Sequence, residues 1–196
     1  MYIFVVAKYL LLFGIMSGNS QYAKAKKIRL IVTDVDGVLT NGQIIYNERG
    51  EESKVFNVKD GLGIRLVMKF GFQVAVITGR KSEIVSRRCE ELGIQMVYQG
   101  IKDKAMVLRE ILSISGHRLD ETAYIGDDLN DLNALLGVGF KCCPEDAHQE
   151  IRLISDYITA AKGGEGCFRE LADLLLEAQG LNEEVLNLFK DQPDAN

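Results

Sequence analysis

The sequence predicts an α/β fold with a doubly wound, mostly parallel β-sheet. Short runs rich in β-branched residues recur along the chain, and helical stretches separate most of them. The runs are apolar throughout instead of alternating with polar residues, which is typical of strands buried on both faces. The predicted strands are 28–34, 73–78, 94–98, 122–126, 138–142 and 156–159. These observations indicate a Rossmann-like arrangement with helices on both faces of the sheet.

Capping residues delimit four predicted helices between the strands. The predicted helices are 60–70, 82–92, 103–115 and 128–136. Three of them begin at an aspartate (Asp60, Asp103 and Asp128) and the fourth at Ser82, and each ends immediately before a glycine. Short polar residues at the start and glycine after the end are the usual signals of helix termini.

One insertion interrupts this alternation between the first strand and the first helix. Residues 44–46 and 54–56 are predicted to form two short strands joined by a turn over 47–50. The resulting β-hairpin, about 43–58, is too small to be a cap domain. The main domain is therefore predicted over 27–180, with a small hairpin insertion and no cap domain.

The two ends of the chain are predicted to lie outside this domain. Residues 1–26 are expected to form a disordered extension, because their apolar run is interrupted by Lys8 and is shorter than the ~20 residues of a membrane span. The run also lacks the cationic start of a secretory signal, which favours an upstream extension with the natural start at Met16. Residues 181–196 are expected to form a tail with one short helix before a polar end.

The composition limits the partners of the protein. The 196 residues carry a formal net charge of -5, which argues against a nucleic-acid-binding protein. Four cysteines without metal-binding spacing and only two histidines argue against a zinc site. We expect reduced thiols in a cytoplasmic protein that acts on a small molecule, with no nucleic-acid or membrane partner.

Polar residues stand where the predicted strands end. Asp34 and Asp36 close the first strand, and Thr78 closes the second. Lys104 begins the helix after the third strand, and Asp127 follows the fourth. Because the carboxyl ends of parallel strands meet at one edge of the sheet, these side chains are predicted to share a site.

The residue types at this edge indicate phosphoryl transfer. The acidic ones are Asp34, Asp36, Asp127, Asp128 and Asp131. Clustered carboxylates repel one another unless a cation neutralises them, and hard oxygen ligands suit Mg²⁺. A lysine and a threonine beside them could hold a phosphoryl group. One carboxylate could attack phosphorus while a second manages protons.

The motifs DVDGVLT, ITGR, KDKA and GDDLND, in this order, resemble the four motifs of the haloacid dehalogenase superfamily. The ordered set spans roughly 100 residues, which makes the resemblance specific although each motif alone is weak. The resemblance implies that Asp34 is the nucleophile and Asp36 the general acid and base. It also implies that Thr78 and Lys104 bind the phosphoryl group.

The same resemblance implies a magnesium site. Its ligands would be Asp34, the backbone carbonyl of Asp36, and Asp127. Asp128 and Asp131 would not bind the metal themselves but would hold its ligands in position. An aspartate at position 36 is typical of the phosphatases and phosphomutases of the superfamily.

A closer resemblance covers 28–180. The stretches DVDGVLTNGQIIYNERGEESKVFNVKDGLGI and GGEGCFRE are similar to the family of 3-deoxy-D-manno-octulosonate 8-phosphate phosphatases. This implies a capless Mg²⁺ phosphatase of lipopolysaccharide sugar synthesis that assembles as a homotetramer, with neighbouring subunits completing the sites. Residues 163–166 resemble a flexible tail that reaches a neighbour and carries Arg169. Arg80 and Arg88 would bind the carboxylate and hydroxyls of the substrate.

Three alternatives remain open from the sequence. The first is a phosphatase of a nine-carbon 2-keto sugar-acid 9-phosphate, which would use the same chemistry. The second is a receiver domain, although DVDG on the first strand and the early Thr78 argue against it. The third is a catalytically idle subunit that binds another enzyme, which the intact motif set opposes.

Overall fold

The computed structural model describes residues 20–190 of the chain. The predicted disordered extension therefore lies partly outside the described residues, as does the polar end of the predicted tail. Within the described part, 20–25 is helical (helix α1), although the sequence predicts no order there. Ala25 is fully buried and Lys24 forms an ion pair of 2.6 Å with Asp156. Packing against the domain accounts for this additional order.

The main sheet has six strands, and every pairing in it is parallel. Its strands are β1 (Leu30–Thr33), β4 (Gln73–Thr78), β5 (Met96–Gln99), β6 (Thr122–Ile125), β7 (Phe140–Cys143) and β8 (Tyr157–Ile158). The order across the sheet is β5-β4-β1-β6-β7-β8. The doubly wound sheet predicted from the apolar runs is confirmed.

Helices cover both faces of the sheet. They are α2 (Val58–Lys69), α3 (Glu83–Leu92), α4 (Lys104–Ser115), α5 (Leu132–Gly137), α6 (Gln149–Ile154), α7 (Cys167–Ala178) and α8 (Asn182–Lys190). Helices α2, α3 and α7 pack on the face that contains Ile31, and α4, α5 and α6 on the face that contains Leu30 and Val32. Successive strand residues point to opposite faces, so each strand contributes to two apolar cores. Helix α8 is the short helix expected in the tail.

The strand order brings three strand ends together. β1 lies between β4 and β6, with Val32 opposite both Ala75 and Tyr124. The chain winds in opposite directions on the two sides of β1, and ligands of open α/β sheets bind at such a switch point. The first strand therefore delivers its two terminal aspartates to the point where a crevice is expected.

Helix α2 begins earlier than the sequence predicts. Asn57 caps it by accepting a hydrogen bond of 2.9 Å from the N–H of Lys59, so Asp60 lies inside the first turn and is not the cap. The buried carboxylate of Asp60 instead accepts the N–H of Arg169 at 2.9 Å, at the start of α7. α7 starts after Gly166, which has no side chain to cap it, and Asp60 supplies that cap from another helix.

The hairpin pairs β2 (Ile45–Tyr46) with β3 (Glu52–Ser53), so the predicted second strand at 54–56 is wrong by two residues. The turn is closed locally, because the side chain of Asn47 accepts the N–H groups of Arg49 and Glu51, each at 2.9 Å. The strand consequently resumes at Glu52, and Lys54 follows it. Among the described residues, no helix is both long enough and apolar enough to cross a membrane.

Candidate active site

A buried lysine lies at the centre of the carboxylate cluster. Nζ of Lys104 is 2.8 Å from Oδ2 of Asp34 and 2.7 Å from Oδ1 of Asp131. The side chains of Lys104 and Asp131 are 1% and 0% exposed, so this ion-pair network is removed from water. Burial alone would lower the pKa of Lys104, but the charges of the two aspartates raise it above its ordinary value.

Three carboxylates converge at one point. Single oxygens of Asp34, Asp127 and Asp131 lie within 4.8 Å of one another. Both oxygens of Asp131 already accept hydrogen bonds, one from the hydroxyl of Tyr124 at 2.6 Å and from Lys104, the other from the N–H of Asp127 at 3.2 Å. Asp34 and Asp127 thus remain to bind a cation, while Asp131 orients them and Lys104.

The backbone at Gly37 approaches this cluster closely. Gly37 has φ of 95°, and a Cβ atom at this position would collide with the carboxylate of Asp127. A glycine is therefore required directly after the second aspartate of the DVDG stretch. The all-oxygen donor set in this tight turn fits a hard divalent cation such as Mg²⁺.

Asp34 and Asp127 have raised pKa values when no cation neutralises them. Burial, reinforced by the charge of Asp131, raises the pKa of Asp34 to about 7. Burial, reinforced by the charges of Asp34 and Asp131, raises the pKa of Asp127 to about 8. In the absence of a divalent cation the folded protein therefore holds protons that the unfolded chain releases near pH ~4.

We expect the metal-free protein to lose stability as the pH rises from ~4 to ~8. Over this range the folded state binds more protons than the unfolded state, so the free energy of unfolding falls with pH. A divalent cation binds the ionised carboxylates, and its stabilising effect should therefore be larger at pH ~8 than at pH ~6. Thermal unfolding with EDTA and with Mg²⁺ at both pH values checks this, and equal stabilisation by Mg²⁺ at both would contradict it.

Asp36 lies beside the cluster with its own partners. Its Oδ1 forms an ion pair with Nζ of Lys54 and lies 3.3 Å from the hydroxyl of Thr40. Its Oδ2 lies 4.0 Å from Nε of Arg80, which is buried and has no hydrogen-bond partner among the described residues. The sequence did not indicate Lys54, because its position in the site depends on where the hairpin turns.

Arg80 is held by the hairpin on its other side. Its Nη2 donates to Glu52 at 2.8 Å and to the hydroxyl of Tyr46 at 3.0 Å. Glu52 also accepts the hydroxyl of Ser82 at 2.6 Å. Thr78 ends β4 and is buried next to β1. Thr78 and Arg80 are thus placed at the same edge of the sheet as the aspartates.

The side chains of the other predicted site residues, Arg88, Arg169 and Asp128, have partners outside the carboxylate cluster. Arg88 of α3 pairs with Glu91 at 3.3 Å, and its guanidinium lies 5.9 Å from the ring centre of Phe56. Arg169 of α7 pairs with Asp173 at 2.8 Å. Asp128 is exposed and accepts the N–H of Leu129 at 2.8 Å, so it caps the short 3₁₀ turn that follows β6.

The glycine-rich segment 163–166 packs against its own chain. The N–H of Gly164 donates to the carbonyl of Val38 at 2.8 Å, and Asn57 donates to the carbonyl of Gly164 at 3.2 Å. A Cβ atom on Gly163 would collide with the carbonyl of Gly37. The segment implied to reach a neighbouring subunit is therefore seated on the loop that follows Asp36.

Comparison with known proteins agrees with this geometry. A family described as haloacid dehalogenase-like hydrolase matches residues 94–171. The 3-deoxy-D-manno-octulosonate 8-phosphate phosphatase KdsC of Escherichia coli K12 is 44% identical over 163 residues, which cover 83% of this chain and 87% of the relative. This chain belongs to the 3-deoxy-D-manno-octulosonate 8-phosphate phosphatase family. It is thus a phosphatase of the haloacid dehalogenase superfamily.

Solved members of this phosphatase family share the fold. The Moraxella catarrhalis enzyme, solved with a magnesium ion, a phosphate ion and a KDO molecule, has a TM-score of 0.85 and 44% identity, covering 87% of this chain and 98% of its own. The cobalt-bound Haemophilus influenzae enzyme has a TM-score of 0.78 and 41% identity, covering 80% of this chain and 92% of its own. Members of the family therefore bind divalent cations on this framework.

Proposed function

We propose that this protein hydrolyses 3-deoxy-D-manno-octulosonate 8-phosphate to the free sugar acid and phosphate, with Mg²⁺ as cofactor. The observation that carries the proposal is the position of Asp34, between Lys104 and Asp127 at the end of β1, with Asp36 two residues further on. The relatives that share this sequence over most of their length carry the same activity in their names. The sugar acid would serve lipopolysaccharide synthesis.

In the proposed reaction, Asp34 attacks the phosphorus atom. A carboxylate oxygen of Asp34 forms a bond to phosphorus while the bond from phosphorus to the sugar oxygen breaks, leaving an aspartyl-phosphate. Lys104 lies 2.8 Å from Asp34 and offsets the negative charge that develops on the phosphoryl group. The hydroxyl of Thr78 donates a hydrogen bond to the phosphoryl group. When bound by Asp34, Asp127 and the carbonyl of Asp36, Mg²⁺ supplies charge neutralisation at the phosphoryl oxygens.

Asp36 handles the protons of both half-reactions. It donates a proton to the sugar oxygen as that oxygen departs. It then accepts a proton from the water that attacks the aspartyl-phosphate, which frees Asp34 and releases phosphate. We propose that Arg80 binds the substrate, because its buried Nε has no hydrogen-bond partner among the described residues and lies 4.0 Å from Oδ2 of Asp36. We propose a supporting role for Arg88 and Arg169 in recognising the sugar acid.

Phosphate release from a panel of sugar phosphates tests this function. We expect the eight-carbon acid phosphate to be the preferred substrate with Mg²⁺ present. Preference for a nine-carbon 2-keto acid 9-phosphate would instead support the second candidate, since only the contacts of the pocket separate the two. If no sugar phosphate is hydrolysed, the catalytic proposal fails and an idle binding subunit is favoured.

We propose further that the protein assembles as a cytoplasmic homotetramer in which neighbouring subunits close the sites. The hairpin and the first turn of α2 expose an unusual number of large apolar side chains in one stretch of sequence. These are Ile44, Tyr46, Val55 and Val58, with exposed fractions of 55%, 58%, 69% and 80%. Apolar residues concentrated in this way indicate a surface that another protein covers, and a second copy of the chain would cover it symmetrically. The four cysteines are buried and unpaired, which suits a reducing compartment.

Replacing Val58 by aspartate is expected to weaken this assembly. The substitution places a charge in the proposed interface, while the fold of the subunit is unaffected because Val58 is 80% exposed. Light scattering should show smaller particles for Val58→Asp than for the wild type at the same concentration. The exposed apolar Leu153 of α6, on the other side of the sheet, provides the control Leu153→Asp. Unchanged assembly of Val58→Asp would contradict the proposed interface.

A further inference from the structure

The hairpin places a buried lysine against the proposed acid and base. The side chain of Lys54 is 1% exposed, and its Nζ forms an ion pair with Oδ1 of Asp36. Oε1 of Glu52 lies 3.7 Å from the same Nζ. A buried ammonium group is costly unless it is paired, so both carboxylates are needed to keep Lys54 in place.

The two carboxylate oxygens of Asp36 have different surroundings because Lys54 contacts only one of them. Oδ1 is held by Lys54 and by the hydroxyl of Thr40 at 3.3 Å. Oδ2 forms no hydrogen bond within 20–190, and the cation nearest to it is Nε of Arg80 at 4.0 Å. Lys54 therefore fixes the carboxylate of Asp36 by Oδ1 and leaves Oδ2 available for proton transfer.

Glu52 connects this arrangement to the rigid part of the domain. It accepts hydrogen bonds from Ser82 at 2.6 Å and from Arg80 at 2.8 Å. Ser82 is the residue that precedes α3, so Glu52 ties the hairpin to the start of a packed helix. The hydrogen bond from Ser82, with the nearby cations, keeps the pKa of Glu52 below its ordinary value and thus keeps it ionised. Lys54 is held in turn by an anion whose own position is set by α3.

We propose that Lys54 is a positioning residue for Asp36, with Glu52 as the anchor that holds Lys54 in place. The inference rests on the proposed phosphatase function and adds to it a residue that none of the four motifs contains. By fixing Oδ1, Lys54 aligns Oδ2 to pass a proton to the sugar oxygen while the bond between that oxygen and phosphorus breaks. Lys54 does not itself bind the substrate in this account.

The basicity of the leaving group provides the test. A sugar alkoxide needs a proton to depart, whereas 4-nitrophenolate departs without one. The quantity to measure is kcat/KM, because it reports the steps up to formation of the aspartyl-phosphate and does not include the later attack of water. For Lys54→Met we expect a loss of about 100-fold with the sugar phosphate, the size of a typical acid–base contribution, and less than about threefold with 4-nitrophenyl phosphate. The exposed Lys69 at the end of α2 provides the matched control Lys69→Met, which should change neither.

A double-mutant cycle separates positioning from direct binding of the phosphoryl group. If Lys54 acts through Asp36, then Lys54→Met adds no further loss in an Asp36→Asn background. Independent losses that multiply, or equal losses with both substrates, would overturn the inference. Should Lys54→Met fail to fold by circular dichroism, Glu52→Gln is expected to show the same dependence on the leaving group at smaller size. If the wild type hydrolyses neither substrate, the proposed function fails instead, so the two failures are distinguishable.

Discussion

Asp34→Asn is expected to lower phosphate release by at least ~10³-fold, because the amide cannot form the covalent bond to phosphorus. The fold should persist, since asparagine has nearly the volume of aspartate and Lys104 retains its 2.7 Å ion pair with Asp131. Phosphate release and circular dichroism on the same sample measure both expectations. The exposed Asp120, which pairs with Arg118 at 2.9 Å, away from the carboxylate cluster, provides the control Asp120→Asn. Activity within tenfold of the wild type would exclude Asp34 as the nucleophile.

Lys104→Met is expected to have the largest effect on stability. It leaves the buried carboxylates of Asp34 and Asp131 without their counter-charge, and removing one partner of a buried ion pair costs about 3–5 kcal/mol. The cost should be greatest at pH ~8 without Mg²⁺, and smaller at pH ~6, where Asp34, whose pKa is raised to about 7, is largely protonated. Activity should fall by about 100-fold or more, as for other charge-stabilising groups.

Urea denaturation at the two pH values measures the loss of stability in Lys104→Met. The exposed Lys102, two residues earlier, provides the control Lys102→Met, which should change the free energy of unfolding by less than about 0.5 kcal/mol. A loss below about 1 kcal/mol for Lys104→Met at pH ~8 would show that the buried pair does not hold the carboxylates together.

The framework of the site was predictable because local patterns determine it. Apolar strands that end abruptly in Asp34, Thr78 and Asp127 place those residues at one edge of a parallel sheet, whatever the details of packing. The position of Lys104 was also predictable from a local pattern, because Asp103 caps the helix that follows the third strand and Lys104 is the first residue of that helix. The order of these strand ends along the chain therefore brings Asp34, Asp127 and Lys104 together.

The remainder depends on contacts between distant parts of the chain. Asp60 was predicted to cap α2, but it caps α7 instead. The hydrogen-bond partner of this buried carboxylate depends on how the two helices pack, and its position in the sequence does not reveal it. The position of Lys54 follows from a turn closed by the side chain of Asn47, which moves the second hairpin strand by two residues. A shift of this kind changes which side chains reach the site, and strand periodicity alone does not reveal it.

The glycine-rich segment 163–166 is a second part of the site whose conformation the sequence alone does not predict. Its composition is equally compatible with a free linker and with a tightly packed loop. The structure packs it against the loop after Asp36, where a side chain on Gly163 would collide with the backbone of Gly37. In this segment glycine therefore permits close approach between two backbones, a role that becomes visible only once both are in place.

The stereochemistry of phosphoryl transfer tests most directly that Asp34 carries the phosphoryl group. The substrate is the 8-phosphorothioate of 3-deoxy-D-manno-octulosonate, made chiral at phosphorus by its sulfur and two oxygen isotopes. It is hydrolysed with Mg²⁺ in water that carries the third oxygen isotope, so that the released thiophosphate is chiral. Two successive in-line displacements, first by Asp34 and then by water, predict retention of configuration in the released thiophosphate. Inversion would mean that water attacks the substrate in a single step, and it would contradict the aspartyl-phosphate on which this account depends.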